Sequence, residues 1–323
     1  MAGLIECVPN FSEGRRPDVI DAICGRVRAT DGVHLLDRTS DSDHNRSVLT
    51  FAGPAEEVTT AMEGAVEEAI ARIDMNGHAG QHPRIGAVDV IPFVPLAGTT
   101  MDEAIELARD FGERIAERFE LPVFMYAKAA LRSDRETLAD IRRPQYEGLR
   151  DLIGEPGNTP DFGPARLHPT AGAVAVGARP FLIAYNINLE TRDLEIAKDI
   201  ARRVRERSGG LPRVQALGLD LAELRCVQVS MNLLDFAVTP MWRAWETVTS
   251  MAADEGVAAR ESELIGLVPL AALVDVADHA DVGADLTVEQ RITHAAAWLK
   301  ARDFEPTMAL ELRLAAAQAG QAA

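Results

Sequence analysis

Ile91-Pro92-Phe93-Val94-Pro95-Leu96-Ala97 and Ile265-Gly266-Leu267-Val268-Pro269-Leu270-Ala271 share a Val-Pro-Leu-Ala ending in the two halves of the chain. Each closes a run of alternating strands and helices. Working back from the first, Val88 to Val94 is an apolar strand, preceded by a helix that Gly53-Pro54 opens and that runs to about Ile73. Before it lie two strand signals, Ser47 to Phe51 and His34 to Leu36. Arg16-Pro17-Asp18 opens an amphipathic helix with Val19, Ile20, Ile23 and Val27 at helical spacing, stopped by Gly32. Leu4 to Val8 is a strand ended by Pro9-Asn10. The order is β-α-β-β-α-β, the split unit of ferredoxin-like folds.

The second stretch closes the same order. Phe181 to Tyr185 reads as a strand, Leu194 to Arg205 as an amphipathic helix, and Val214 to Leu217 as a strand. Cys226 to Met231, Thr239 to Ala253 and Leu264 to Leu267 follow as strand, helix and strand. Asn10 and Asn188 are each placed just after the first strand of their half. The matching order points to an internal duplication, with a period far longer than that of a solenoid repeat. The expected fold class is α/β (α+β), built from ferredoxin-like βαββαβ units. Two subdomains, residues 1–180 and 181–323, each a mixed sheet with helices on one face, are expected to face each other across a cleft of the kind that holds small molecules.

Between the halves, Met101 to about Gly163 has no counterpart. It reads as a helix (Met101 to Phe119), a strand (Leu121 to Tyr126) and a charged stretch from Arg132 to Arg150, followed by the loop Gly154-Glu155-Pro156-Gly157-Asn158-Thr159-Pro160.

Composition narrows the function. A net charge of −17 repels phosphate at long range, so neither nucleic acid nor an anionic membrane surface is expected as a partner. The three cysteines, Cys7, Cys24 and Cys226, are an odd number without metal-type spacing, which disfavours disulfide and zinc frameworks. Met1 to Phe11 lacks the basic start of a signal peptide, and the apolar run Leu264 to Val274 is too short to span a bilayer. A cytoplasmic location is expected.

The sharpest local signal is Gly77-His78-Ala79-Gly80-Gln81-His82-Pro83-Arg84-Ile85-Gly86, a loop feeding a strand. His82 precedes a proline, so its backbone is extended, and an ordinary imidazole there titrates near neutral pH and can shuttle a proton. The pattern leaves open whether His82 works on a substrate or only braces its loop. His78 and His82 have the spacing of helical metal ligands, but the glycines and Pro83 deny a helix, and no metal is expected. Asp37-Arg38-Thr39-Ser40-Asp41-Ser42-Asp43-His44-Asn45-Arg46 joins two strands and reads either as a cation-holding cluster or as a solvated turn. Asp161 to Gly172 is a further Gly/Pro loop before the small-residue strand Ala173 to Ala178, and it lacks the Gly-Lys-Ser/Thr of a phosphate loop.

Taken together, Leu4 to Gly14 (with Val8-Pro9-Asn10-Phe11-Ser12-Glu13-Gly14), His82 to Leu96, Asp161 to Gly172, Gln228 to Phe236 and Leu264 to Leu273 resemble the formiminotransferase domain of the glutamate formimidoyltransferase family. The resemblance covers nearly the whole chain in order. It implies transfer of a formimino group between N-formimino-L-glutamate and N5 of tetrahydrofolate, the folate being a co-substrate bound in a tunnel between two α/β subdomains. It implies His82 as the catalytic residue, Gly163-Pro164-Ala165-Arg166-Leu167-His168-Pro169-Thr170-Ala171-Gly172 as the folate-binding segment, and a homodimer. Thr39 stands where family members often have an acid, and Ala171 where they often have an aromatic.

The chemistry suits these residue types. A cationic amidine calls for a carboxylate such as Asp37, Asp41 or Asp43, and the carboxylates of glutamate or folate call for Arg46, Arg84 or Arg166. One imidazole can take a proton from the attacking amine and give it to the leaving one. A formyl donor on the same fold, a non-catalytic folate-binding protein and a hydrolase of formiminoglutamate are the competing readings.

Overall fold

The computed structural model describes residues 3–283 and 285–320. The chain divides into two compact units, residues 1–179 and 180–323.

In the first unit, β1 (Leu4–Cys7) and β2 (Asn10–Phe11) are two parts of one strand. Pro9 has no N–H to donate, yet its carbonyl still accepts from Leu49, and the pairing with β4 (Arg46–Pro54) keeps one register across the break, from Leu4↔Pro54 to Phe11↔Ser47. The same strand pairs antiparallel with β5 (Val88–Pro95), and β3 (His34–Asp41) pairs antiparallel with β4. The spatial order β3-β4-β1/β2-β5 is that of a ferredoxin-like sheet. Helices α1 (Pro17–Arg28) and α2 (Ala55–Arg72) supply the two crossovers.

The segment without a counterpart extends this sheet. Helix α3 (Met101–Phe119) starts with a capping box between Thr100 and Glu103, and leads to β6 (Val123–Ala127). After α4 (Leu138–Arg142) and α5 (Gln145–Leu152) comes β7 (Val174–Ala178), which pairs parallel with both β5 and β6. Helices α1 to α3 bury one face of the sheet around Phe11, Phe51, Phe93 and Phe111. Ile141 of α4 and Leu149 of α5 cover the opposite face of β5 to β7 through Val90, Phe124, Tyr126 and Ala175. On that opposite face, strand alternation places Asn10, Arg46 and Val48 on β2 and β4.

The second unit repeats the order with β8 (Ile183–Leu189), α6 (Leu194–Val204), β9 (Val214–Leu221), β10 (Cys226–Leu233), α7 (Met241–Asp254) and β11 (Ala259–Ile265). Its strands are antiparallel in the order β11-β8-β10-β9. Helices α8 (Leu270–His279), α9 (Val288–Trp298) and α10 (Leu310–Gln318) follow, and α6 to α9 bury one face of this sheet.

Several element boundaries differ from the sequence reading. β3 runs on to Asp41, because its polar residues pair with β4 and leave only a short turn, in which Asn45 takes a left-handed φ of 49°. Asn188 does not follow β8 but lies inside it. There it pairs with Gln228 and Glu261, the third residues of β10 and β11, as Asn10 pairs with Val48 and Val90, the third residues of β4 and β5. The two asparagines therefore hold equivalent register positions. β11 starts earlier than expected, because its outward Glu261 and Glu263 have partners: Asn188 donates to Glu261 (3.0 Å), and Asn186 donates to Glu263 (3.2 Å). Among the helices after β11, which the sequence reading did not place, α9 has a legible start in the Thr287–Gln290 capping box.

The core of the first unit hinges on Phe93, fully buried and edge-on to Phe111 at 5.2 Å. Phe93→Ala is expected to remove roughly 3–5 kcal/mol of stability. A denaturation midpoint by far-UV circular dichroism within error of wild type would refute it.

Candidate active site

The loop between α2 and β5 is interrupted by Gly77, Gly80 and Pro83, so it cannot continue the helix, and hydrogen bonds from distant segments give it shape. Met75 N–H donates to the Thr170 carbonyl (2.8 Å), Asn76 Nδ2 to the Pro169 carbonyl (2.9 Å) and Gln81 N–H to the Asp43 carbonyl (3.2 Å). Asn45 ties the loop to β1/β2: its Nδ2 donates to the Ala79 carbonyl (3.1 Å), and its Oδ1 accepts from Gly14 N–H (2.9 Å).

The two loop histidines are held as opposite tautomers. His78 Nδ1 accepts from Arg84 Nε (3.1 Å), and its Nε2 donates to the Asn45 carbonyl (3.2 Å). Both of its nitrogens are engaged in hydrogen bonds. His82 is half-buried, and its Nε2 lies 2.9 Å from Arg46 Nη1. A guanidinium cannot accept, so this contact assigns Nε2 as the bare nitrogen and puts the ring proton on Nδ1. Arg46 Nη1 also reaches Asn10 Oδ1 at 3.3 Å, whereas Arg46 Nε is buried without a hydrogen-bond partner.

These surroundings change the chemistry expected of His82. Burial, reinforced by Arg46, Arg142, His44 and Arg84, presses its pKa from the ordinary 6.5 down to about 3. The imidazole is therefore neutral well into the acid range. The expectation that it titrates near neutrality is corrected, because the sequence contains the ring but not the cations folded around it.

The structure separates the other candidates. Asp41 shapes the turn: its Oδ1 accepts the N–H groups of Asp43 and His44 (2.8 Å each), and its Oδ2 holds His44 Nδ1 (2.7 Å). That positions the His44 ring edge-on to His82 at 6.3 Å. The exposed Asp43 side chain has no hydrogen bond or ion pair among the described residues. Arg84, expected as a carboxylate anchor, is 5% exposed and already committed, gripping Glu147 of α5 through both terminal nitrogens (2.5 and 2.8 Å) while Nε holds His78. Arg166 lies on the surface, paired with Glu120 (3.0 Å). Only Arg46 of these three touches His82.

The Gly163–Gly172 segment is stitched beside the histidine loop. His168 and Gly172 exchange backbone hydrogen bonds (3.0 and 3.3 Å), and His168 Nδ1 accepts from the N–H groups of Thr170 and Ala171. Gly172 has φ 73°, and a Cβ there would come within 2.5 Å of the Ile85 carbonyl, so glycine is required for the segment to reach β5. Ala171 is buried, and its carbonyl accepts from Ala87 N–H (2.8 Å).

Sequence reasoning missed Arg142 and Asp89. Asp89 is buried on β5, accepts the Ile85 N–H (2.9 Å) and forms an ion pair with Arg142 of α4. Burial raises the Asp89 pKa while Arg142 opposes the rise. Nothing in the charged stretch Arg132 to Arg150 marks one arginine out, so only folding brings Arg142 to the site. In the second unit, Asn188, Gln228, Glu261, Glu263 and Arg302 form a comparable polar network, in which Gln228 Nε2 donates to Asn188 Oδ1 (2.9 Å) and Arg302 pairs with Glu263. Of these, the sequence marks Asn188 as the counterpart of Asn10 and Gln228 as part of a family-like block, and leaves the two glutamates and Arg302 unmarked.

Residues 4–179 match the formiminotransferase domain, N-terminal subdomain, and residues 184–302 match the formiminotransferase domain. The glutamate formimidoyltransferase of Thermoplasma acidophilum is 48% identical over 278 residues, 85% of this chain and 91% of that protein. The enzyme of the same name from Streptococcus pyogenes serotype M1 is 42% identical over 279 residues, 86% of this chain and 93% of that protein. This chain belongs to the formiminotransferase family. The formimidoyltransferase-cyclodeaminase of Sus scrofa is 44% identical over 282 residues, 86% of this chain but 52% of that protein. This chain thus matches about half the length of that longer protein.

For this formiminotransferase, the low proton affinity of His82 has a consequence for stability. The unfolded imidazole takes up a proton near 6.5 and the folded one near 3, so between these values the unfolded state holds more protons. Stability therefore falls as pH drops through that window. His82→Gln is expected to flatten part of that loss when denaturant midpoints are compared between about pH 7 and pH 4. Equal slopes for the two proteins would refute it.

Proposed function

We propose that this protein is a glutamate formimidoyltransferase, moving the formimino group between N-formimino-L-glutamate and N5 of tetrahydrofolate, with His82 carrying the proton. The observation that carries the reading is the neutral, half-buried imidazole whose bare Nε2 sits against a half-buried guanidinium. The extent of the family match supports it.

In this reading, N5 attacks the amidine carbon and the centre becomes tetrahedral. N5 must then lose a proton and the glutamate nitrogen gain one before it leaves. His82 accepts the first proton at Nε2 and returns it to the leaving nitrogen, with the Nδ1–H left in place throughout. Arg46, with Arg142 beside it, binds a carboxylate of the amino-acid donor by charge-assisted hydrogen bonds. The free carboxylate of Asp43 offsets the amidinium charge, while Asp41 acts through His44 and the turn. The Gly163–Gly172 segment lies along the folate. Its Arg166 is exposed and paired with Glu120, and is assigned to the folate tail. Arg84 is a positioning residue, holding the histidine loop to α5 through Glu147. A cytoplasmic homodimer completes the proposal. Among the described residues no helix is long and apolar enough to cross a membrane.

His82→Ala is expected to lower kcat by about 10²–10⁴ while tetrahydrofolate binding, followed by calorimetry, stays close to wild type. A near-normal rate would remove His82 from the mechanism. Side-by-side assays with formimino and formyl donors decide the donor. Faster turnover of the formyl compound would overturn the formimino assignment, and turnover without folate would point to a hydrolase.

A further inference from the structure

Arg46 carries a positive charge that no carboxylate neutralises within ion-pair distance among the described residues. Its Nη1 bridges two neutral acceptors, His82 Nε2 at 2.9 Å and Asn10 Oδ1 at 3.3 Å, and its Nε is buried with no partner. The nearby Arg142 is bound to Asp89, the adjacent Arg84 to Glu147, and His44 to Asp41. Burial and the Arg142 charge press Arg46 away from its charged form, and the more distant Asp89 and Asp41 offset this only in part. A guanidinium in this state binds a carboxylate in preference to a neutral imidazole, since the carboxylate adds ion-pair attraction and can accept two parallel N–H bonds. Meanwhile the lone pair that would accept a proton from an attacking amine is occupied.

We propose that Arg46 caps the basic nitrogen of His82 in the ligand-free protein and is drawn off it by a carboxylate of the amino-acid donor, so that the base is released only when the donor is in place. This deepens the proposed function, because it rests on His82 as the proton carrier. The device orders the reaction: the imidazole cannot act on a stray amine before the dicarboxylate that identifies the donor has engaged Arg46. Arg46 is thus both anchor and cap, and Asn10 holds it between the two positions.

The test is an imidazole ¹⁵N NMR titration of the full chain, with His82 signals assigned by their loss in His82→Gln and L-glutamate used as the probe. In the wild-type protein, glutamate is expected to move the Nε2 signal towards that of an uncapped nitrogen and to raise the titration midpoint by roughly 1–2 pH units. Arg46→Gln is expected to show the raised midpoint without glutamate and no further response to it. Arg46→Lys, which keeps the charge on a different stem, shows an intermediate midpoint and reports on folding independently of the cap. The proposal is overturned if the His82 signals stay still through a glutamate titration of the wild type, or if Arg46→Gln titrates like wild type. Transfer assays on the same samples separate the two readings: glutamate-driven uncapping in a protein without turnover would retain the cap and sink the enzymatic assignment.

Discussion

The ladder that holds Leu4–Phe11 between β4 and β5 governs the geometry of the first unit. A central strand that changed register by one residue at Pro9 would turn Asn10 into the core and Phe11 out of it. The register survives because a proline carbonyl can still accept although its nitrogen cannot donate. With the strand fixed, Asn10 and Arg46 fall on the face opposite α1 to α3. Asp89 comes to lie on the next strand, and the loop leading into β5 delivers His82 beside them.

Electrostatics at the site runs against that of the whole molecule. The chain carries a net charge of −17, which disfavours anionic ligands at long range. Around His82, however, three guanidiniums gather within a partly buried space, and only two of them have carboxylate partners. Burial first, and then the charge of Arg46 and its neighbours, suppress the proton affinity of the imidazole. Burial and this charge imbalance together account for the neutral histidine and the expected acid lability, and they suit the site to the carboxylated donor proposed above. Glycines at Gly172 and Gly86 permit this density of groups, because a side chain at either would strike the neighbouring backbone.

The equivalence of Asn10 and Asn188 bears on how such a chain is built. In both units an asparagine sits at the same place in the central strand, yet the surroundings have diverged. In the first it faces valines and an arginine, and in the second a glutamine and a glutamate. The repeat is legible as an architecture and not as a repeated site, because strand order depends on apolar alternation whereas chemistry depends on the few residues left facing outward.

Apolar periodicity, glycine and proline punctuation and the Val-Pro-Leu-Ala echo were enough by themselves to determine the β-α-β-β-α-β order, the starts of the helices within the two repeats and of α3, and the loop that bears His82. These are local properties, set by burial of one face of each element and by backbone geometry at particular residues. Strand ends at Asp41 and Leu189 were misread because polar residues there look like turn formers until their cross-strand partners are known. Which arginine meets the imidazole, that Arg84 is engaged by Glu147, and that Arg142 and Asp89 join the site were decided only by the tertiary structure. The reason is physical: hydrogen bonds and pKa values depend on distances across segments far apart in the chain, and residue type alone carries no information about those distances.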